Sequence, residues 1–432
     1  MTAITGFSEP DARVSSDNTN SNVQAEERAV YRSDVLKVVE STIDRLSSEL
    51  RELSLDIHSH PEVMFKERHA HDVLTSFMDA HGFDVTRHYG LDTAWRATFT
   101  HGRGVSRIRT IGVNSEMDAL PGIGHACGHN LIAIAGVAVA IGIKAALETL
   151  DIPGHVVLLG TPAEEGGEGK QFLLDQGAYK GMDACLMCHP APGPAESVSL
   201  SSSLAIQRIE VEYTGHSAHA ALSPWEGKNA LDACVLAYNN ISALRQQLKP
   251  THRVHGIFEG HNWAANIIPD NSKMHWLVRA PTWAEVETAK TRVMACFEAA
   301  AIATGCKVSI KPIGGLTELR QNKTLGDEIA RIVRSRHGSV NYAYGIENAS
   351  TDFGNVSYAL PSLHPGYAIP TVTDGGNHTP AFTDAARTIE AHKATLEVAK
   401  ALAAVGVRVL DDEAFSRDVK RAFDGGLVAA ER

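Results

Sequence analysis

Four short segments of the 432-residue chain carry side chains that bind metal ions or move protons. "GHACGHN" sets Cys127 and His129 two residues apart, just ahead of an apolar run. From a turn, a thiolate and an imidazole at that spacing can reach one ion, and both suit zinc and neighbouring transition metals. The competing reading is a buried thiol beside a hydrogen-bonded histidine. "TPAEEGGEG" places Glu164 and Glu165 side by side at the end of an apolar strand. Neighbouring side chains leave such a segment in different directions, so one carboxylate can bind metal while the other faces the metal-bound water. Otherwise a di-acid followed by glycines is a solvated turn. "DACLMCHP" gives Cys185, Cys188 and His189 the C-x-x-C-H spacing of covalent haem attachment. In a strand, however, the two cysteines point to opposite faces, do not converge on one cofactor, and read as core. "GGNHTPAF" gives His378 a glycine-rich approach that lets backbone come close to a ligand. The plain alternative is a loop histidine, in a chain with 21 of them.

Cys127, His129, Glu165, His189 and His378, with Glu164 left over, have the composition of a two-metal hydrolytic site. Two divalent ions would polarise a scissile carbonyl and lower the pKa of a shared water, and a spare carboxylate would take its proton. The sequence contains no Gly-rich phosphate loop, no G-x-S-x-G elbow and no H-E-x-x-H helix.

These segments need a scaffold. "VLKVVESTIDRLSSELRELSLDIHSHPE" has helical apolar spacing until Pro61 stops it. "IRTIGVNSEMDALPG" and "GHVVLLGTPAEEGG" read as strands ending in acidic loops, with helices between them. That alternation predicts an α/β catalytic domain with a mostly parallel central sheet, its ligands gathered beyond the carboxyl ends of the strands. From 203 to 313 the rhythm changes. "IQRIEVEY" and "HRVHGIFEG" read as strands around the helix "NALDACVLAYNNISALRQQL", and "SKMHWLVRA" and "CKVSIKPI" as strands around a second helix. Thr282 and Glu285 form a capping box for that second helix, and Gly305 lies just past its end. The order β-α-β-β-α-β predicts an α+β domain, 203–313, inserted into a catalytic domain made of 31–202 and 314–432. Residues 1–30 read as a disordered tail without the apolar core of a signal peptide.

Composition narrows the partners. The formal charge is −11 and the pI about 6.0, with no run of Lys or Arg, so no footprint for nucleic acid or an anionic membrane is present. Small-molecule substrates are expected. Six cysteines over this length are no disulfide framework, which points to thiols in a reducing, cytoplasmic compartment. The apolar run "LIAIAGVAVAIGIKAAL" is broken at Lys144, short of the ~20 residues that span a bilayer, and reads as a buried helix.

The sequence resembles the aminoacylase and carboxypeptidase-G metallopeptidases over roughly 33–405. The likeness is to the amidohydrolase branch and, through "EMDALPGIGHACGHNLIA", to the β-alanyl-lysine dipeptidase type. The resemblance implies that Cys127, His129, Glu165, His189 and His378 hold two divalent ions, zinc first, with manganese or cobalt as alternatives. It implies that Glu164 is the general base, that Asp118 of "EMDALP" helps hold the site, and that His219 of "TGHSAHA" crosses a homodimer interface to stabilise the oxyanion. Asn266 of "NIIP" and Arg279 match substrate-contacting positions. Glu116 stands where many relatives outside this branch have histidine, and Asn130 where many amidohydrolases have aspartate. The expected activity is hydrolysis of the amide bond of a dipeptide or N-acyl amino acid. The alternatives are an amidase for a non-peptide conjugate in secondary metabolism, or a catalytically silent metal-binding partner.

Overall fold

The computed structural model describes residues 31–102, 108–260, 262–336, 338–342 and 348–430; the expected tail, 1–30, lies outside them. The helical spacing before Pro61 makes two helices, α1 (Ser33–Arg45) and α2 (Ser47–Ser59), joined at Leu46. Val35, Val39 and Ile43 form the buried stripe of α1, and Leu50, Leu53 and Ile57 that of α2. An eight-residue connection that contains Pro61 leads to α3 (Arg68–Ala80). Then come β1 (Asp84–Arg87), β2 (Trp95–His101), β3 (Thr110–Glu116), α4 (His129–Leu150), β4 (Gly154–Thr161) and α5 (Gly169–Asp175). Three short strands follow, β5 (Ala184–Leu186), β6 (His189–Ala191) and β7 (Ser197–Ser199).

Next comes a separate antiparallel sheet. β8 (Ala205–Thr214), α6 (Ala230–Leu244), β9 (Arg253–Glu259), β10 (Asn271–Ala280), α7 (Trp283–Thr304) and β11 (Lys307–Leu316) pair in the order β11-β8-β10-β9. The two helices cover one face, where Tyr213, Trp276, Val293 and Phe297 form the core. The Thr282 hydroxyl accepts from the Glu285 amide at 3.3 Å, and Gly305 closes α7 in the left-handed conformation, φ 71°.

The chain then returns to the first layer through α8 (Lys323–Ser335), β12 (Ser339–Asn341), α9 (Phe353–Ala359), β13 (Ser362–Leu363) and β14 (Gly366–Ala368). It ends in α10 (Pro380–Ala386), α11 (Ile389–Asp411) and α12 (Glu413–Ala430). The central sheet has the order β1-β2-β4-β3-β5-β13. It is mixed: β4, β3, β5 and β13 run parallel, while β1 and β2 add an antiparallel flank that the apolar runs did not announce. The second small sheet, β12-β7-β14-β6, holds β6. Only Met187 and Cys188 separate β5 from β6, so the chain changes sheets at that bend.

Helix α4 is the one described helix long and apolar enough to cross a membrane, and it is buried almost throughout. It packs between the central sheet and α11, as an all-round apolar helix must. Gly136 makes this fit possible: a Cβ there would stand 2.7 Å from the Asn114 carbonyl oxygen of β3.

Candidate metal centre

The carboxyl ends of β3 and β4 open into the two acidic loops, and the start of α4 lies beside them. Gly128, φ 78°, supplies the left-handed turn into α4, and its bare Cα lets Pro190 approach: a Cβ would meet Pro190 Cγ at 2.6 Å. Cys127 and His189 thereby face each other, with Sγ and Nε2 3.3 Å apart. The Nδ1–H of His189 donates to the Pro190 carbonyl at 2.8 Å, which leaves Nε2 as the free donor nitrogen. His378, at φ 67°, is tied to this loop by its own amide, which donates to the Ala126 carbonyl at 2.8 Å.

Asp118 organises the other side. Its Oδ1 accepts from His129 Nδ1 at 2.9 Å, and its Oδ2 from the Glu165 amide at 3.0 Å. His129 Nε2 therefore points inward, 3.8 Å from Glu165 Oε1, which lies 3.3 Å from His378 Nε2. Cys127, His129 and His189 form one donor triplet within 4.8 Å; Cys127, Glu165 and His378 form a second, and His129, Glu164 and Glu165 a third. The structure thus brings together all five residues of the expected ligand set, with Glu164 and Asp118 beside them.

These residues fit divalent metal. His129 Nε2, 3.4 Å from Glu116 Oε2, is buried without a hydrogen bond, an expensive state for a polar atom unless something else binds it. Thiol, imidazole and carboxylate together are a donor set for zinc or its neighbours. Burial pushes the Glu164 carboxyl well above its usual range, and Glu116, Asp352 and Glu165 push it further, which suits a group that takes up a proton. Burial also raises Glu165, but the His378 hydrogen bond and the His129 charge outweigh it and hold that carboxyl low. His189 is pushed down to about 4 by burial and by His129, which keeps it a neutral nitrogen ligand.

Several residues around the site were not singled out by their sequence positions. Lys170 is fully buried, and its Nζ stands 2.5 Å from both Glu116 Oε1 and Asp352 Oδ1. Glu116, Glu164 and Asp352 form a carboxylate triplet within 4.8 Å, and the chain's own ammonium supplies its cation. Glu67, also buried, uses one oxygen to accept from the amides of Phe65 and Ala163, at 2.9 and 3.0 Å, so it ties the α2–α3 connection to the residue before Glu164. Phe65 and Ala163 both sit at φ 60°, a conformation that side chains other than glycine adopt only where surrounding contacts hold it. "GEGKQFLL" contains nothing that separates a buried lysine from a surface one.

The remaining three candidates lie in the antiparallel-sheet domain. His219 is exposed, and its Nδ1 accepts from the amides of Ala221 and Leu222 at 3.2 and 3.1 Å. Asn266, also exposed, is drawn alongside by an Ala220 amide to Asn266 carbonyl bond of 3.0 Å. Arg279 is half-buried and donates to Ser350 Oγ at 2.9 Å, while Arg208 on the adjacent strand donates to the Gly166 carbonyl at 2.8 Å. Within one chain, no described hydrogen bond or ion pair joins His219 or Asn266 to the five clustered donors.

Residues 112–404 match the model of peptidase family M20/M25/M40. The chain is 41% identical to the Xaa-Arg dipeptidase of Mus musculus over 88% of its own length and 90% of the relative's. It is 27% identical to an N-acetyl-L-cysteine deacetylase of Bacillus subtilis over 86% and 93%. Among solved structures it is similar to a dinuclear metal-binding M20 peptidase from Bacillus subtilis, with TM-score 0.66, 20% identity, and coverage of 85% and 99%.

Proposed function

Because the chain belongs to peptidase family M20/M25/M40, and is accordingly a metal-dependent hydrolase, we propose that it is a dipeptidase that releases a C-terminal amino acid. The observation that carries this reading is the donor cluster, buried except at His378, whose Glu165 stands next to Glu164, a carboxyl that burial pushes up. The mouse relative's name supports arginine as the leaving residue, and the resemblance to the β-alanyl-lysine dipeptidase type supports lysine.

Cys127, His129, Glu165, His189 and His378 would hold two ions, zinc by the preference of thiolate and imidazole. When bound, the ions supply Lewis acidity to the scissile amide. Glu164 accepts the proton of the attacking water and returns it to the leaving amine. Asp118 keeps His129 in one tautomer and one orientation through Nδ1. Arg279 grips the substrate carboxylate, and Asn266 contacts the substrate near the scissile bond.

His219 stabilises the oxyanion from the partner in a homodimer. Because its Nδ1 accepts two backbone amides, the neutral ring carries its proton on Nε2 and can donate it. Support for the homodimer comes from the edge strand β9, with Ile257 and Phe258 exposed, and from the exposed Val235 and Leu236 of α6. Six free thiols support a cytoplasmic setting.

The test is a screen of zinc- and manganese-loaded protein against Xaa-Arg, Xaa-Lys, β-alanyl and γ-aminobutyryl dipeptides and N-acyl amino acids. At least tenfold preference in kcat/KM for dipeptides ending in Arg or Lys is expected. Faster cleavage of N-acyl amino acids would overturn the dipeptidase assignment and leave an acylase.

A further inference from the structure

A second group of metal-type donors lies outside the site described above. Asp56 in the last turn of α2, His60 just past its end, and His69 in the first turn of α3 bring three donor atoms within 4.8 Å. Asp56 Oδ1 is 3.2 Å from His60 Nδ1, which also donates to the Asp56 carbonyl at 2.9 Å; Asp56 Oδ2 is 3.0 Å from His69 Nε2, and the two imidazole rings lie 4.1 Å apart. Donors bonded at about 2.0–2.2 Å around a tetrahedral ion stand about 3.3–3.6 Å from one another, so the two Asp56–histidine separations need only a few tenths of an ångström of expansion.

Asp56 and His69 are already in place, and His60 exchanges its bond to the Asp56 carbonyl for the ion. Asp56 stands four residues before His60, and its carboxylate meets the His60 ring where the chain leaves α2. His69 is fixed against them because the Glu62 carboxylate accepts from the amides of His69 and Ala70 at 3.0 and 3.1 Å, which caps the start of α3. All three side chains are part-exposed, so an ion can reach them, and two imidazoles with one carboxylate leave coordination positions for water.

We propose that Asp56, His60 and His69 form an additional binding site for one divalent transition-metal ion, zinc or copper(II), separate from the dinuclear centre. None of the three belongs to the ligand set around Cys127. An ion here nevertheless braces the wall of that centre. The connection it clamps carries Glu62, whose carbonyl accepts from the Ala119 amide at 2.7 Å beside Asp118, and Glu67, which holds Ala163 beside Glu164. The site therefore couples occupancy at the surface to the rigidity of the two acidic loops.

The experiment uses the full chain and reads metal directly. Zinc titration by calorimetry of wild type, His60→Ala, His69→Ala and the double variant should show one fewer equivalent per chain in each variant. Circular dichroism of each variant verifies the fold. Copper(II) added to zinc-preloaded protein should give an electron paramagnetic resonance signal with imidazole nitrogen couplings that Asp56→Asn weakens and the double variant loses. The last zinc equivalent should raise the melting temperature of wild type but not of the double variant. Identical stoichiometry and an unchanged copper spectrum in wild type and double variant would overturn the proposal.

Discussion

Replacing Lys170 by methionine keeps the aliphatic stem and removes one buried positive charge. The ammonium makes two contacts of 2.5 Å, to Glu116 and Asp352, and all three side chains are fully buried. At an effective dielectric of 20, each such pair is worth about 7 kcal/mol of Coulomb attraction, and desolvation of the ions offsets most of it. What the variant exposes is the other side of that balance: two carboxylates, with Glu164 close by, left without their cation. Removing one partner of a buried pair costs about 3–5 kcal/mol, and a cation shared by two acids belongs at the upper end, about 4–5 kcal/mol. The assay is urea unfolding of metal-depleted protein, followed by tryptophan fluorescence; Trp95 in the central sheet is fully buried and reports on this domain. Adding Glu116→Gln and Asp352→Asn to Lys170→Met should restore at least half of the loss, since neutral amides need no counter-ion. Manganese should stabilise Lys170→Ala, because the vacated carboxylate triplet then accepts a divalent cation. A loss below about 1 kcal/mol in Lys170→Met would refute this account of the buried cluster.

Burial pushes the Glu67 carboxyl up to about 7 from an ordinary 4.5. Between those values the folded state holds the extra proton, so stability falls as pH rises from 4.5 through 7, by about 3 kcal/mol in all. Glu67→Gln, which keeps the acceptor oxygen for Phe65 and Ala163, should match wild type near pH 5 and melt higher at pH 8; parallel pH profiles would exclude this. Gly128→Ala, in a left-handed turn and against Pro190, should lose about 1–3 kcal/mol and retain less zinc, as read by unfolding and metal analysis. Mixing inactive Glu164→Ala with inactive His219→Ala protein should restore about a quarter of wild-type sites on random pairing of subunits, measured as amide hydrolysis. No recovery, with exchange verified by mass, would mean that His219 does not act across a dimer.

Cys127, His129, Glu165 and His189 were legible because each follows an apolar strand or opens a buried helix, a pattern short enough to read locally, whereas His378 was marked only by its glycine-rich loop. The inserted β-α-β-β-α-β unit was legible for the same reason: its strands are long, and Thr282 and Gly305 mark the ends of α7. The antiparallel flank was not, because β1 has four residues and β2 pairs with β4 across more than fifty residues of chain. The three-residue strands β5 and β6 follow one apolar run, yet the bend at Met187–Cys188 puts them in different sheets and leaves Cys185 and Cys188 as core rather than haem-binding residues. Lys170 and Asp352 lie 182 residues apart, and only folding makes them neighbours. The helical pattern before Pro61 concealed the break at Leu46, where both flanking helices keep near-helical backbone angles.

The adjacent glutamates test the central claim most directly, because one is assigned to proton transfer and the other to coordination. Glu164→Gln and Glu165→Ala should be assayed together, with metal content and kcat measured on the same preparations. Glu164→Gln should retain its ions and lose about 10²- to 10⁴-fold in kcat, the range for loss of a general base. Glu165→Ala should lose metal along with activity. Metal loss in Glu164→Gln with full occupancy in Glu165→Ala would contradict the account.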